Sequence, residues 1–271
     1  MVKLLKIYNM SKLGFFTSLI LISNLTLALE TKVTKLNNQK PEKLLYIGNS
    51  YLYYNDSLHN HVRRMLEEYY QKEIERSNYK SVTISGSRLS HHDIDYSLNH
   101  KNLGAEKQFE LVIIQGGSGE TLTKEERIAF NNEAEKMIKK VKQVGAEAAL
   151  YMIHAYVEPH PDTSPEMITN IKKMYLEAGN KNNVLVVPVG IAFENAYNKK
   201  PKIKLHKNYD GTHPNILGTY LAACVIFTSI THKSPINIKY DYFGKINSDD
   251  KLFLQNIAHK TVEDFFSIKL K

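Results

Sequence analysis

Residues 109–120 read FELVIIQGGSGE. Leu111 to Ile114 would be apolar on both faces of an extended chain, as a strand covered on both sides requires. The run stops at Gln115 and gives way to glycines and a serine, residues that turn. Helical periodicity takes over at 124–144, and Thr123 is placed to cap it. Strand, glycine loop and helix in that order form one unit of a parallel sheet. The same alternation recurs on both sides of this stretch. Short apolar runs at 43–48 (KLLYIG), 81–84, 146–153 and 184–189 predict four more strands. Between and after them, spacing predicts helices over 58–76, 164–178, 191–198, 214–230 and 249–268. Pro165 suits the first turn of its helix and Gly179 its stop. Pro214 would open the strongly apolar helix 214–230 and leave His213 at or beside the N-cap. Five strands alternating with helices predict one α/β domain over 43–271, a three-layer α/β/α sandwich around a parallel sheet. No internal repeat and no long linker follow residue 42.

Composition narrows the function. The chain has 271 residues, 42% of them apolar and 24% charged, which excludes a wholly disordered chain. A single cysteine, Cys224, excludes an intramolecular disulfide and any multi-cysteine zinc or iron–sulfur site. Cys224 lies in the apolar stretch LAACVIF and reads as core. Residues 1–28 follow the order of an export signal: Lys3, Lys6 and Lys12 without acids, an apolar run from Phe15 to Leu29, and small residues at Thr26 and Ala28. The run is too short for an ordinary membrane span. Cleavage after Ala28 would remove three lysines and lower the formal charge from +8 to +5. Residues 29–42 are polar and aperiodic and read as a linker or leading arm. The protein is therefore expected to be exported, periplasmic or secreted. The mild, unclustered basic surplus argues against a nucleic-acid partner.

Chemistry in such a sheet is expected beyond the carboxyl ends of the strands. After the first strand stands Gly48-Asn49-Ser50-Tyr51; after the second, Ser85-Gly86-Ser87-Arg88; after the third, Gln115-Gly116-Gly117-Ser118-Gly119-Glu120. Before the apolar helix stands Asp210-Gly211-Thr212-His213-Pro214. A carboxylate three residues before an imidazole, around a glycine turn, can hold one ring nitrogen and leave the other facing a serine. Ser50 taken alone reads more simply as a helix cap; the Asp210/His213 pair and the strand-end context favour catalysis. Asp210-Gly211 reads as a turn and Gly86 as a turn glycine.

Four segments, LLYIGNSY, ISGSRLSHH, LVIIQGGSGE and DGTHPNILGTYLAAC, resemble the conserved blocks of the SGNH (GDSL-like) hydrolase superfamily. They are nearest to a bacterial branch whose first block reads Gly-Asn-Ser, and they span residues 44–230. The resemblance implies a flavodoxin-like fold and hydrolysis of esters, with O-acetyl groups on a glycan as the substrate class and no cofactor. It implies Ser50 as nucleophile, His213 as general base and then acid, and Asp210 as its orienting partner. Gly86, with Gly117 from the third block, is implied to serve the oxyanion hole. The third block departs from the family's Gly-x-Asn-Asp: Gly119 stands where the asparagine donor belongs. Gln115, Ser118 or loop amides are candidates to replace it. His92, in the pattern Gly86-Leu89-His92, is implied to line the pocket.

Several residues carry rival readings. Ser118 sits in a glycine loop like a nucleophile elbow, but Glu120 replaces the trailing glycine of that motif. His91, His92, Asp93 and Asp95 form the best metal candidate, and no metal is expected. His154, at the end of the fourth strand, reads as structural. Tyr51, Tyr53 and Tyr54 could floor a sugar site or merely pack. Lipid-ester or thioester hydrolysis, acyl transfer and a non-catalytic carbohydrate-binding role remain alternatives for the same fold.

Overall fold

A computed structural model describes residues 29–270. The expected signal segment, residues 1–28, lies outside the described residues. Five strands form the sheet: β1 (Leu44–Gly48), β2 (Tyr79–Thr83), β3 (Leu111–Gln115), β4 (Glu147–Tyr151) and β5 (Leu185–Val187). All neighbours are parallel and the order is 2-1-3-4-5. Every residue of β1 and β3 is buried, the physical counterpart of their unbroken apolar runs. Among the described residues, eight helices accompany the sheet: α1 (Ser50–Tyr53), α2 (Leu58–Tyr70), α3 (Ile94–Leu98), α4 (Lys124–Gln143), α5 (Met167–Asn182), α6 (Val189–Lys199), α7 (Ile216–Thr231) and α8 (Ser248–Phe266). Helices α2, α6, α7 and α8 pack together on one face, and α3, α4 and α5 on the other. This is the three-layer α/β/α architecture expected from the alternating pattern.

The strand order reverses direction between β1 and β3, so their carboxyl ends splay apart and leave a crevice. Ser50 stands at the top of β1 and the glycine loop at the top of β3, on the two lips of that crevice. Helix α7 explains why its sequence is apolar all round. Its residues from Gly218 to Thr231 are buried, with α2, α6 and α8 packed around it.

Several predicted boundaries are corrected. Helix α2 ends at Tyr70, because Gln71 turns left-handed. Gly179 does not stop α5 but lies inside it, where a Cβ would come within 2.3 Å of Val186 Cγ2; left-handed Asn183 ends that helix. Pro214 does not open α7. The Asn215 side chain accepts from the amides of Leu217 and Gly218 and caps it. Pro214 pairs instead with His206 in an isolated antiparallel bridge, and His213 sits in the bend just before it. Helix α3 was not anticipated; it is a single short segment capped by Asp93.

The arm before β1 is tied to the domain. Leu36 is buried, and the amides of Asn37 and Asn38 each donate to the Glu147 carboxylate at 2.8 Å. These bonds lie at the amino end of β4, away from the crevice. Among the described residues, no helix is long and apolar enough to cross a membrane.

Five histidines make the fold sensitive to acid. Burial lowers His59, His92 and His206 to about 4 each, lowers His61, and holds His154 well below its ordinary value. Between those values and 6.5 the unfolded chain holds protons that the folded one refuses, so stability rises with pH across this window. It is fully present above 6.5 and is lost as pH falls toward 4. For His206 alone the loss at pH 5 comes to about 2 kcal/mol. Glu120, pushed up to about 7 by burial, has the opposite sign between 4.5 and 7, one group against five. The urea midpoint is expected to fall between pH 7 and pH 5. A flat or rising midpoint would show that these histidines are not held neutral.

Candidate active site

Ser50 is the first residue of α1 and is buried to all but 7%. Asn49 fixes the turn that presents it. The Asn49 amide donates to Gln115 Oε1 at 2.8 Å, its Nδ2 to the Ser87 carbonyl at 3.1 Å, and its Oδ1 accepts from the Tyr51 amide. Asn49, through its amide and its side chain, thus links the ends of β1, β2 and β3.

Ser50 Oγ lies 2.9 Å from His213 Nε2. His213 Nδ1 lies 2.8 Å from Asp210 Oδ2. Asp210 Oδ1 accepts from the amides of Thr212 and His213 at 2.9 and 3.0 Å. Burial opposes ionisation of Asp210, but the Thr212 amide and the His213 ring and amide outweigh it and hold the carboxyl below its usual range. An ionised Asp210 selects the tautomer in which Nδ1 donates and Nε2 can accept from the serine hydroxyl. Such a chain can deprotonate Ser50 as it attacks a carbonyl.

The turn that carries the histidine requires glycine. Gly211 has φ +64°, and a Cβ there would fall 2.0 Å from the Val157 carbonyl. Gly211 O in turn accepts from the Val157 amide at 2.9 Å. Beneath it, His154 Nε2 donates to the Thr212 carbonyl at 2.9 Å, and its ring is stacked between Tyr51 and Phe193, 4.3 Å from each. His154 is therefore structural: it supports the turn and has no exposed surface.

A cleft of about 440 Å³ opens over Ser50. Gly86, Ser118 and Gly119 line it beside Ser50 and His213, and no carboxylate does. The amides of Ser50 and Gly86, the latter at φ +63°, donate to no group among the described residues. The amides of Ser118 and Gly119 are likewise free at the start of a short 3-10 turn. These four are the donors available to an anionic oxygen.

Three expectations are corrected. The Gly117 amide is not free for an oxyanion, because it donates to Glu120 Oε2 at 2.5 Å. Gln115 does not line the cleft; it is buried and engaged with Asn49. His92 does not line it either, since its Nε2 is bonded to Ser87 Oγ at 2.9 Å, and His91 takes that place. The metal candidate disperses. Asp93 caps α3, Asp95 pairs with Lys140, and His91 Nδ1 accepts from the Arg88 amide. Among the described residues no group of three metal-ligating side chains converges. Cys224 is buried in α7, and burial pushes its thiol up, so it is core as read.

Tyr156 and His160 in the cleft wall escaped the sequence reading, because they come from an irregular stretch after β4 with no motif. Asn55 escaped it too. Its Nδ2 donates to the Pro214 carbonyl at 3.0 Å and to Thr219 Oγ1 at 2.8 Å, tying the serine side of the site to the histidine side. His61 Nε2 donates to its carbonyl at 2.7 Å. Asn55 is left-handed at φ 54°, followed by Asp56 and Ser57 at 64° each. Asn55→Ala is expected to cost about 2–4 kcal/mol, from the orphaned acceptors and the left-handed backbone. Thermal denaturation checks the loss. Asn55→Gly should restore only the backbone part.

No family model and no curated protein matches the chain. Solved structures do. It is similar to a DUF4886 family protein from Bacteroides uniformis, at 17% identity over 84% of this chain and 97% of that one, with TM-score 0.64. It is similar to a candidate SGNH hydrolase from Slackia heliotrinireducens, at 18% identity over 69% and 98%, TM-score 0.55. An acetyl xylan esterase aligns at 15% identity over 69% and 98%, also with TM-score 0.55. The chain has the α/β/α fold of the SGNH hydrolases, as the four sequence blocks imply.

Proposed function

We propose that the protein is an exported serine esterase of SGNH type that removes small acyl groups, acetyl foremost, from a glycan. Ser50 Oγ attacks the ester carbonyl while its proton passes to His213 Nε2. The carbonyl oxygen becomes an anion facing the Ser50, Gly86, Ser118 and Gly119 amides. As the tetrahedral species collapses, His213 gives the proton to the leaving alcohol oxygen, and Ser50 keeps the acyl group. Water then attacks the acyl-enzyme, His213 takes its proton, and the free acid leaves with Ser50 restored. Asp210 holds the imidazole tautomer throughout and stays ionised. No step needs a metal or cofactor.

The observation that carries this reading is the unbroken chain Ser50 Oγ, His213 Nε2, His213 Nδ1, Asp210 Oδ2, with links of 2.9 and 2.8 Å. The acetyl and glycan part rests on the sequence resemblance and on the similarity to an acetyl xylan esterase. Export rests on the order of residues 1–28. The test is covalent. Protein beginning at Leu29, treated with a fluorophosphonate, should carry one adduct on Ser50 by peptide mass spectrometry. It should also hydrolyse p-nitrophenyl esters, acetyl faster than octanoyl. An adduct on Ser118 would move the nucleophile to the β3 loop, and a preference for long chains would favour lipid esters.

A further inference from the structure

The direction of proton transfer fixes where the alcohol half of the ester lies. His213 must reach the leaving oxygen, so that half passes along the outer edge of the imidazole, while the acyl half turns toward Gly86 and Ser118. What stands beside His213 therefore meets the leaving group. The Tyr54 ring is stacked on His213, 4.5 Å between centroids at 28°. Tyr53 stacks on Tyr54 at 5.5 Å and 16°, and its hydroxyl donates to Ser85 Oγ at the cleft edge. Tyr209, next to Asp210, is 68% exposed and stands near enough to Tyr54 to push the Tyr54 phenol up. Lys207 Nζ lies 5.7 Å over the Tyr54 ring and braces it. Three tyrosines from two separate segments thus form one ridge that begins on the catalytic imidazole and runs outward to solvent.

Nothing in the hydrolytic step uses this ridge. Its outer rings cost exposed apolar surface, yet each ends in a hydroxyl. Flat faces for C–H groups beside polar tips for hydroxyls match the surface of a sugar ring. We propose that Tyr53, Tyr54 and Tyr209 form the subsite that holds the sugar bearing the acyl group. Tyr54 contacts the first ring at the ester, and the exposed Tyr209 and Tyr53 flank the chain around it. The proposal rests on the esterase reading and adds where the glycan lies.

The test compares two substrates with one acyl group. Acetylated xylan offers a sugar leaving group, and p-nitrophenyl acetate offers none. Tyr53→Ala and Tyr209→Ala are the variants, because both side chains are solvent-facing and neither stacks on His213. Each should lower the ratio of kcat/KM for acetylated xylan to kcat/KM for p-nitrophenyl acetate by about 3–10-fold, chiefly through KM. Tyr209→Phe, which keeps the ring, should restore most of that ratio. An equal fall on both substrates, or an unchanged ratio, would overturn the subsite. Turnover of p-nitrophenyl acetate with none of acetylated xylan would also overturn it, while leaving the serine esterase standing. Failure of both substrates together with no Ser50 adduct would instead remove the esterase reading and the subsite with it. Binding gives an independent readout. The chain has no tryptophan, so its tyrosine fluorescence is unobscured. Acetylated xylo-oligosaccharide should perturb that emission in Ser50→Ala, and less so after Tyr209→Ala.

Discussion

Ser50→Ala is expected to lower ester turnover by about six orders of magnitude, the loss seen when a triad nucleophile is removed from a serine protease. The reason is geometric. Ser50 is held by the first turn of α1, with its hydroxyl 2.9 Å from the only ring nitrogen of His213 that faces the cleft. His213→Ala should cost nearly as much, and the double variant little more than either alone, because the two residues act as one unit. Asp210→Asn should cost less. It keeps the turn but loses the charge that selects the tautomer. Stability should barely move in Ser50→Ala, since alanine at that position removes one hydrogen bond and leaves Asn49 to fix the loop. Turnover of p-nitrophenyl acetate beside a thermal melt separates the two effects. A variant that melts like the parent and still hydrolyses the ester at more than a hundredth of its rate would remove Ser50 from the chemistry.

The layers and the parallel sheet were legible because burial on both faces leaves a plain mark. Leu111 to Ile114 admit no polar residue, and α7 admits no charged one. The ends of elements were less legible, because side chains two or three residues away decide them. Asn215 captures the start of α7, and the prolyl signal at Pro214 loses to it. Gly179 looks like a helix stop in one dimension; only the approach of Val186 shows why a side chain is refused there. Ser50, Asp210 and His213 could be read because their spacing and strand-end positions combine. Asn55 could not, since it acts through Pro214 and Thr219 far away in the chain, nor could Tyr156 and His160, which stand in an irregular stretch with no motif. The role given to Gly117 fails for a similar reason. Its amide faces a carboxylate three residues on, and sequence does not say which way Glu120 points.

Gly119→Asn is expected to raise turnover by about 10- to 100-fold. Removing a single side-chain donor from an oxyanion hole costs about 2.7–4 kcal/mol in a well-studied protease, and Gly119 supplies no side chain here. The position can accept the change. A Cβ built at Gly119 meets nothing within 4 Å, and the backbone there is not in the left-handed region. The residue also lines the cleft beside Ser118, so an added carboxamide would face the same space as the Ser50 and Gly86 amides. The gain should appear in kcat with KM little changed, because the new donor meets charge only in the tetrahedral species. The parent should correspondingly be a slow esterase whose deficit sits in the chemical step. If Gly119→Asn folds and gives no gain, the amides of Ser118 and Gly119 already complete the hole, and the glycine is then a substitute for the asparagine rather than a loss. If turnover falls instead, the open space at Gly119 is where the acyl group must lie. The same variant assayed against acetyl, butyryl and octanoyl esters separates these outcomes, because a steric block deepens with acyl length while a missing donor does not.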